Sequence, residues 1–144
     1  MRTLAIDLGT KRIGLALSDS GGTIATPHDI LQVTSSEQAI APILKLIRDE
    51  DVKRIVIGLP LNMDGTIGSQ SRQAIEWAKS LPGEIIFVDE RLSSFDAEQR
   101  LIDRKRGGEK ITRKSKKEML DALVAAALLQ EFLDGKLPPI DLHE

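Results

Sequence analysis

The 144-residue sequence contains no cysteine, which excludes a disulfide framework and a thiolate metal site alike. Its two histidines, His28 and His143, leave little room for zinc or for histidine-based catalysis. No apolar run reaches the length that spans a bilayer. The N-terminus opens on a strand pattern and lacks a charged-then-apolar leader. These absences predict a cytoplasmic protein with no membrane partner. The single tryptophan, Trp77, reads as helix packing rather than as a platform for stacked bases.

What is present fits an ordinary folded chain. Hydrophobic residues make up 41% and charged residues 29% of the sequence, and the length suits one domain with a proper core. Residues 1–137 are predicted to form that domain and residues 138–144 a short C-terminal tail. The net charge of −2 conceals a strong asymmetry. Residues 91–117 carry ten basic and four acidic side chains, leaving the remainder at −8. A positive segment on an acidic body suits a polyanionic partner, although a solvated helix end would read the same way.

Hydrophobic periodicity gives a coarse map. Residues 3–8, 12–19 and about 24–33 read as strands joined by short glycine-containing turns, an antiparallel meander. Ser36 to Asp49 reads as a helix, with Pro42 tolerable only if it falls early. Lys53 to Leu59 and Glu84 to Asp89 read as further strands. Between them Ser69 is expected to cap a helix reaching Ser80. A helix capped by Ser93 or Ser94 and running to Arg106 is expected next, then a mobile charged connection to Lys114. An alanine- and leucine-rich helix from Ser115 to Leu133 completes the order βββαβαβαα. The class is α/β: a mixed five-stranded sheet, part meander and part parallel, with helices on both faces.

Three acids stand at odd positions in this map. Asp7 interrupts an apolar strand, where an unpaired carboxylate is costly. Glu90 follows the last strand at its C-terminal end, the usual place for ligand sites in open α/β sheets. Asp121 heads the apolar stripe Ala125, Leu128 and Phe132 on the final helix. Each has a plain explanation: a turn for Asp7, pairing with Arg91 or another basic side chain for Glu90, the helix dipole for Asp121. Together they fit a shared divalent-metal site better than three coincidences. With only oxygen donors on offer, Mg²⁺ or Mn²⁺ is favoured over zinc.

The stretch Ile6-Asp-Leu-Gly-Thr-Lys-Arg-Ile-Gly14, continuing to Ala16-Leu-Ser-Asp19, resembles the opening of the YqgF (RuvX) family. So do Gly58-Leu-Pro60 with Met63-Asp-Gly65, then Asp89-Glu-Arg-Leu-Ser-Ser94, and Asp121-Ala-Leu-Val-Ala-Ala-Ala-Leu-Leu-Gln130. The four blocks follow the family's order and cover nearly the whole chain. The resemblance implies a ribonuclease H-like fold and a nuclease that trims the 5′ end of pre-16S ribosomal RNA or resolves Holliday junctions. Its implied partners are precursor ribosomal RNA, branched DNA and ribosomal particles. Its acidic ligands fall on Asp7, Glu90 and Asp121, the same residues singled out above. One departure concerns junction cleavage. Related RuvC-type resolvases carry a fourth acid one turn along the last helix, where Val124 and Ala125 stand here.

The mechanism this predicts is phosphodiester hydrolysis with two Mg²⁺ or Mn²⁺ ions. Lys11, Arg12 and Arg91 are expected to contact phosphates, and Arg104, Lys105, Arg106, Lys110, Arg113 and Lys114 the nucleic-acid backbone. The alternative for Lys11 and Arg12 is an exposed hairpin tip. Two rival functions are an actin-like ATPase, for which 144 residues leave no second domain, and a catalytically idle nucleic-acid-binding protein.

Overall fold

The computed structural model describes residues 1–92 and 113–142. Three strands come first: β1 (Arg2–Leu8), β2 (Arg12–Ser18) and β3 (Ala25–Gln32). A 3₁₀ turn at Ser36–Ala39 leads into α1 (Ile40–Asp49), followed by β4 (Val52–Leu59), α2 (Ser69–Ala78) and β5 (Glu84–Asp89). A second 3₁₀ turn spans Glu90–Leu92, and α3 runs over Arg113–Leu133. The sheet order is β3-β2-β1-β4-β5. Short turns make β1, β2 and β3 antiparallel, whereas β4 and β5 continue the sheet in parallel with β1. β1 is therefore the central strand, and both of its neighbours frame whatever it presents.

Alternation along the strands divides the interior in two. Leu4, Ile6, Ile13, Leu15, Ile55 and Ile57 pack with Ile43 and Ile47 of α1 and with Ala74 and Trp77 of α2. The residues between them, Ala5, Ala16, Val56 and Val88, pack with Ala125, Leu128 and Leu129 of α3. Helices thus cover both faces of a mixed five-stranded sheet, as expected. Trp77 is buried, and its indole N–H donates to the Ser36 carbonyl at 2.8 Å. Pro42 falls in the first turn of α1, where backbone N–H groups have no intrahelical partner to lose. Among the described residues no helix is long and apolar enough to cross a membrane.

Three boundaries differ from expectation. Ser69 is the first residue of α2, and Gly68 takes the cap position without a side-chain bond. A Cβ at Gly68 would stand 2.8 Å from Asn62 Oδ1, so the fold of the preceding loop decides the boundary. Helix α3 already begins at Arg113, inside the stretch read as a connection. The helix expected over residues 93–106 lies outside the described residues. At its far end α3 closes on Gly135 (φ +77°), with Gly135 N–H donating to the Phe132 carbonyl and Lys136 N–H to that of Glu131. The chain beyond it docks instead of trailing away: Leu137 is buried, and Ile140 N–H donates to the Phe87 carbonyl at 2.7 Å. That contact covers the outer edge of β5.

Candidate active site

Two residues along from Ala5, Ala16 and Val56 the same face carries Asp7, Gly14 and Gly58, and Glu90 opens the 3₁₀ turn just after β5. The pairing makes them neighbours: Asp7 lies opposite Gly14, Ile6 opposite Ile57, and Gly58 opposite Val88. An acid on the central strand is therefore flanked on both sides by residues without side chains. The glycines make room for the other two acids. A Cβ at Gly14 would overlap the Asp121 carbonyl, so its absence lets α3 settle beside Asp7. A Cβ at Gly58 would stand 3.0 Å from Leu128 Cδ1 and 3.3 Å from Glu90 Oε2. Glu90 thus folds back over the floor that Gly58 leaves open.

Burial first, and like charge second, shows in the ionisation of these acids. Burial pushes the Asp7 carboxyl up to about 7, with the charges of Glu90 and then Asp121 adding to the effect. Burial also raises Glu90, helped by the neighbouring Asp89 charge. Asp121 is raised by burial, against the opposing pull of Arg12. Arg12 Nε lies 2.9 Å from Asp121 Oδ2, yet that buried oxygen accepts no hydrogen bond. The pair is at contact distance but its N–H is not aimed at the acceptor. Three oxygen donors that disfavour their own charge, one of them orphaned, are chemically suited to a hard divalent cation. Among the described residues, however, no three acidic or histidine side chains already converge within the reach of one ion.

A family model described as RuvX, Holliday junction resolvase, matches residues 1–135. The chain belongs to the RuvX family. It is 40% identical over 139 residues to a Syntrophomonas wolfei protein named "Putative pre-16S rRNA nuclease", covering 94% of this chain and 95% of the relative. It is 42% identical over 146 residues to a protein of the same name from Anaeromyxobacter dehalogenans, covering 96% and 100%. Among solved structures, Thermus thermophilus RuvC in complex with a Holliday junction substrate superposes with a TM-score of 0.56 at 14% identity, over 97% of this chain and 99% of that one. Fowlpox virus resolvase with Holliday junction DNA gives 0.54 at 10% identity, over 92% and 99%. These likenesses fix the fold of the RuvX chain as ribonuclease H-like.

In this RuvX protein the other predicted site residues divide into three groups. Lys11 and Arg12 line an open cleft with Asp121, beside the end of β3. Arg91 is turned away from Glu90: it donates to both Asp89 oxygens, at 2.7 Å from Nη2 to Oδ2 and 3.0 Å from Nε to Oδ1. Its Nη1 reaches the carbonyls of Asn62 and Met63. The salt bridge considered for Glu90 is therefore made by Asp89. Arg104, Lys105, Arg106 and Lys110 lie outside the described residues, and Arg113 and Lys114 form the start of α3. Asp121 sits more than two turns into α3, too deep for the helix dipole to explain it. Of the two residues that stand at the position considered for a fourth acid, Ala125 is buried and Val124 packs against the same apolar layer.

Sequence reasoning placed Gly14, Gly58 and Asp89 in its motif blocks but gave the glycines no role and set Asp89 aside as facing away from Glu90. The glycines did carry a signal, since glycine inside a strand weakens it and marks a close approach. Asp89 carried none beyond its place at the strand end.

Proposed function

We propose that this RuvX protein is a divalent-metal-dependent nuclease that matures the 5′ end of pre-16S ribosomal RNA, with Asp7, Glu90 and Asp121 as its metal-holding acids. The observation that carries the reading is Asp7 flanked by Gly14 and Gly58, two glycines whose bare faces admit Asp121 of α3 and the Glu90 side chain. Asp7 on the central strand, Glu90 after β5 and Asp121 on α3 are the residues that would hold Mg²⁺ or Mn²⁺. When bound, such ions supply Lewis acidity toward water and toward the phosphate oxygens of an in-line displacement. The chain's own contribution is placement. Gly14 and Gly58 hold the acids at a common floor, and Arg91 fixes the turn that carries Glu90. Lys11 meets a phosphate beside the cluster, and the basic segment through Arg104, Lys105, Arg106, Lys110, Arg113 and Lys114 follows the backbone without reading sequence.

Ribosomal RNA is favoured as substrate because relatives about 40% identical over nearly their full length bear that name. Work on precursor ribosomal particles in the cytoplasm follows from that substrate. Junction resolution is the second reading, favoured by the description of the family itself. Val124 and Ala125 weigh against it. Purified protein incubated with precursor 16S RNA and with a four-way DNA junction, in Mn²⁺, Mg²⁺ or chelator, separates the two. The proposal expects metal-dependent cleavage of the RNA. Cleavage of the junction alone supports the second reading, and cleavage of neither supports an idle binding protein.

A further inference from the structure

Arg12 is the first residue of β2 and stands on the turn that follows Asp7. Its guanidinium is the cation at Asp121, with Nε 2.9 Å from Oδ2. Three features make that contact exchangeable. The N–H is not aimed at the oxygen, so the attraction is Coulombic and lacks the added hold of a hydrogen bond. The Arg12 side chain is 39% exposed, against 25% for Asp121, so it can leave toward solvent without unpacking a core. Finally, Lys11, Arg12 and Asp121 line the same cleft, so a displaced guanidinium stays beside Asp121.

We propose that Arg12 is a counterion competing with the divalent cation for Asp121, and that it passes to a substrate phosphate when the cation binds. This rests on the metal reading of Asp7, Glu90 and Asp121. The reasoning is one of charge. A divalent ion and a guanidinium at one carboxylate repel each other, so the ion must displace Arg12. A phosphate arriving with the ion then offers the released guanidinium a new anion with matching fork geometry. Metal and nucleic acid are thereby coupled through one side chain, each easing the binding of the other.

The test follows Mn²⁺ affinity without any turnover, from thermal melts across a Mn²⁺ titration. Arg12→Gln should lower the Mn²⁺ midpoint at least fivefold. Lys11→Gln removes the same charge one residue away without a contact to Asp121, and should shift the midpoint less than twofold. A second arm measures binding of a labelled single-stranded RNA in chelator. There Asp121→Asn frees Arg12 and should tighten RNA binding several-fold, and the double variant Asp121→Asn with Arg12→Gln should lose that gain. Equal Mn²⁺ midpoints for wild type and Arg12→Gln overturn the inference while leaving the metal reading intact, provided the wild-type melt rises with Mn²⁺ and that of Asp7→Asn does not. A wild-type melt that Mn²⁺ does not move overturns both. A gain of RNA binding that survives in the double variant assigns it to charge alone and overturns the transfer to phosphate.

Discussion

Arg91 closes on Asp89, two residues before it, and passes over Glu90, its immediate neighbour. The guanidinium spans both carboxylate oxygens of Asp89 and the carbonyls of Asn62 and Met63. The backbone N–H of Arg91 also donates to Asp89 Oδ1 at 3.0 Å. One side chain thus ties the end of β5 to the loop before α2, and Glu90 is carried on the turn between. Among the described residues no cation is paired with Glu90, so its charge is left for the site.

Removing that clamp should damage the fold and the site together. Asp89 is buried, and Arg91 holds its carboxyl below the usual carboxylate range. Arg91→Ala leaves a buried acid without its partner and should lower the urea midpoint. Arg91→Lys should recover less than half of that loss, because an ammonium cannot span two carboxylate oxygens and two carbonyls. The stabilisation from the pair should fade as pH drops below the ordinary carboxylate range, where Asp89 takes up a proton.

The two glycines should fail differently. At Gly14 a methyl group meets the backbone of α3 at Asp121, which no rotamer change can relieve. Gly14→Ala should therefore destabilise by more than about 2 kcal/mol. At Gly58 the obstacles are the side chains of Leu128 and Glu90, which can give way. Gly58→Ala should cost about 1 kcal/mol in urea, yet still abolish the Mn²⁺-induced rise in melting temperature by displacing Glu90.

The ionisation of Asp7 gives a pH dependence of known sign. Its carboxyl sits at about 7 in the fold against an ordinary value of 3.8. The unfolded chain ionises first, so the folded state loses stability as pH rises from about 4 to about 7 and no further above that. Without metal, Asp7→Asn should raise stability at pH 8 by a few kcal/mol and by far less at pH 4. Melts of both proteins in chelator at the two pH values check this.

Trp77 should be silent to the substrate. It is the sole tryptophan, buried between α2 and the sheet with its N–H bonded to Ser36. Saturating RNA should leave its fluorescence unchanged, and Trp77→Phe should lower stability by about 1–2 kcal/mol without altering RNA affinity.

Much of this candidate site is legible in the sequence alone. Asp7 was visible as a charge in an apolar run, Glu90 by its place after a strand, and Asp121 by the stripe it heads. Those are local patterns of period two and 3.6, which survive in one dimension. What stayed hidden depends on register and on packing between distant segments. The Arg12–Asp121 contact joins β2 to the last helix, and nothing in either segment names the other. Gly14 and Gly58 matter because β2 and β4 happen to flank β1, a fact of strand order. The docking of residues 137–142 on β5 was likewise invisible, since their prolines and short length read as a tail.

The most direct test of the central claim is cleavage of precursor 16S RNA by Asp7→Asn, compared with wild type in Mn²⁺ at matched folded fraction. The account predicts that wild type cuts the RNA, that chelator stops it, and that Asp7→Asn stays folded but is at least a thousandfold slower. Cleavage by Asp7→Asn at the wild-type rate would contradict it.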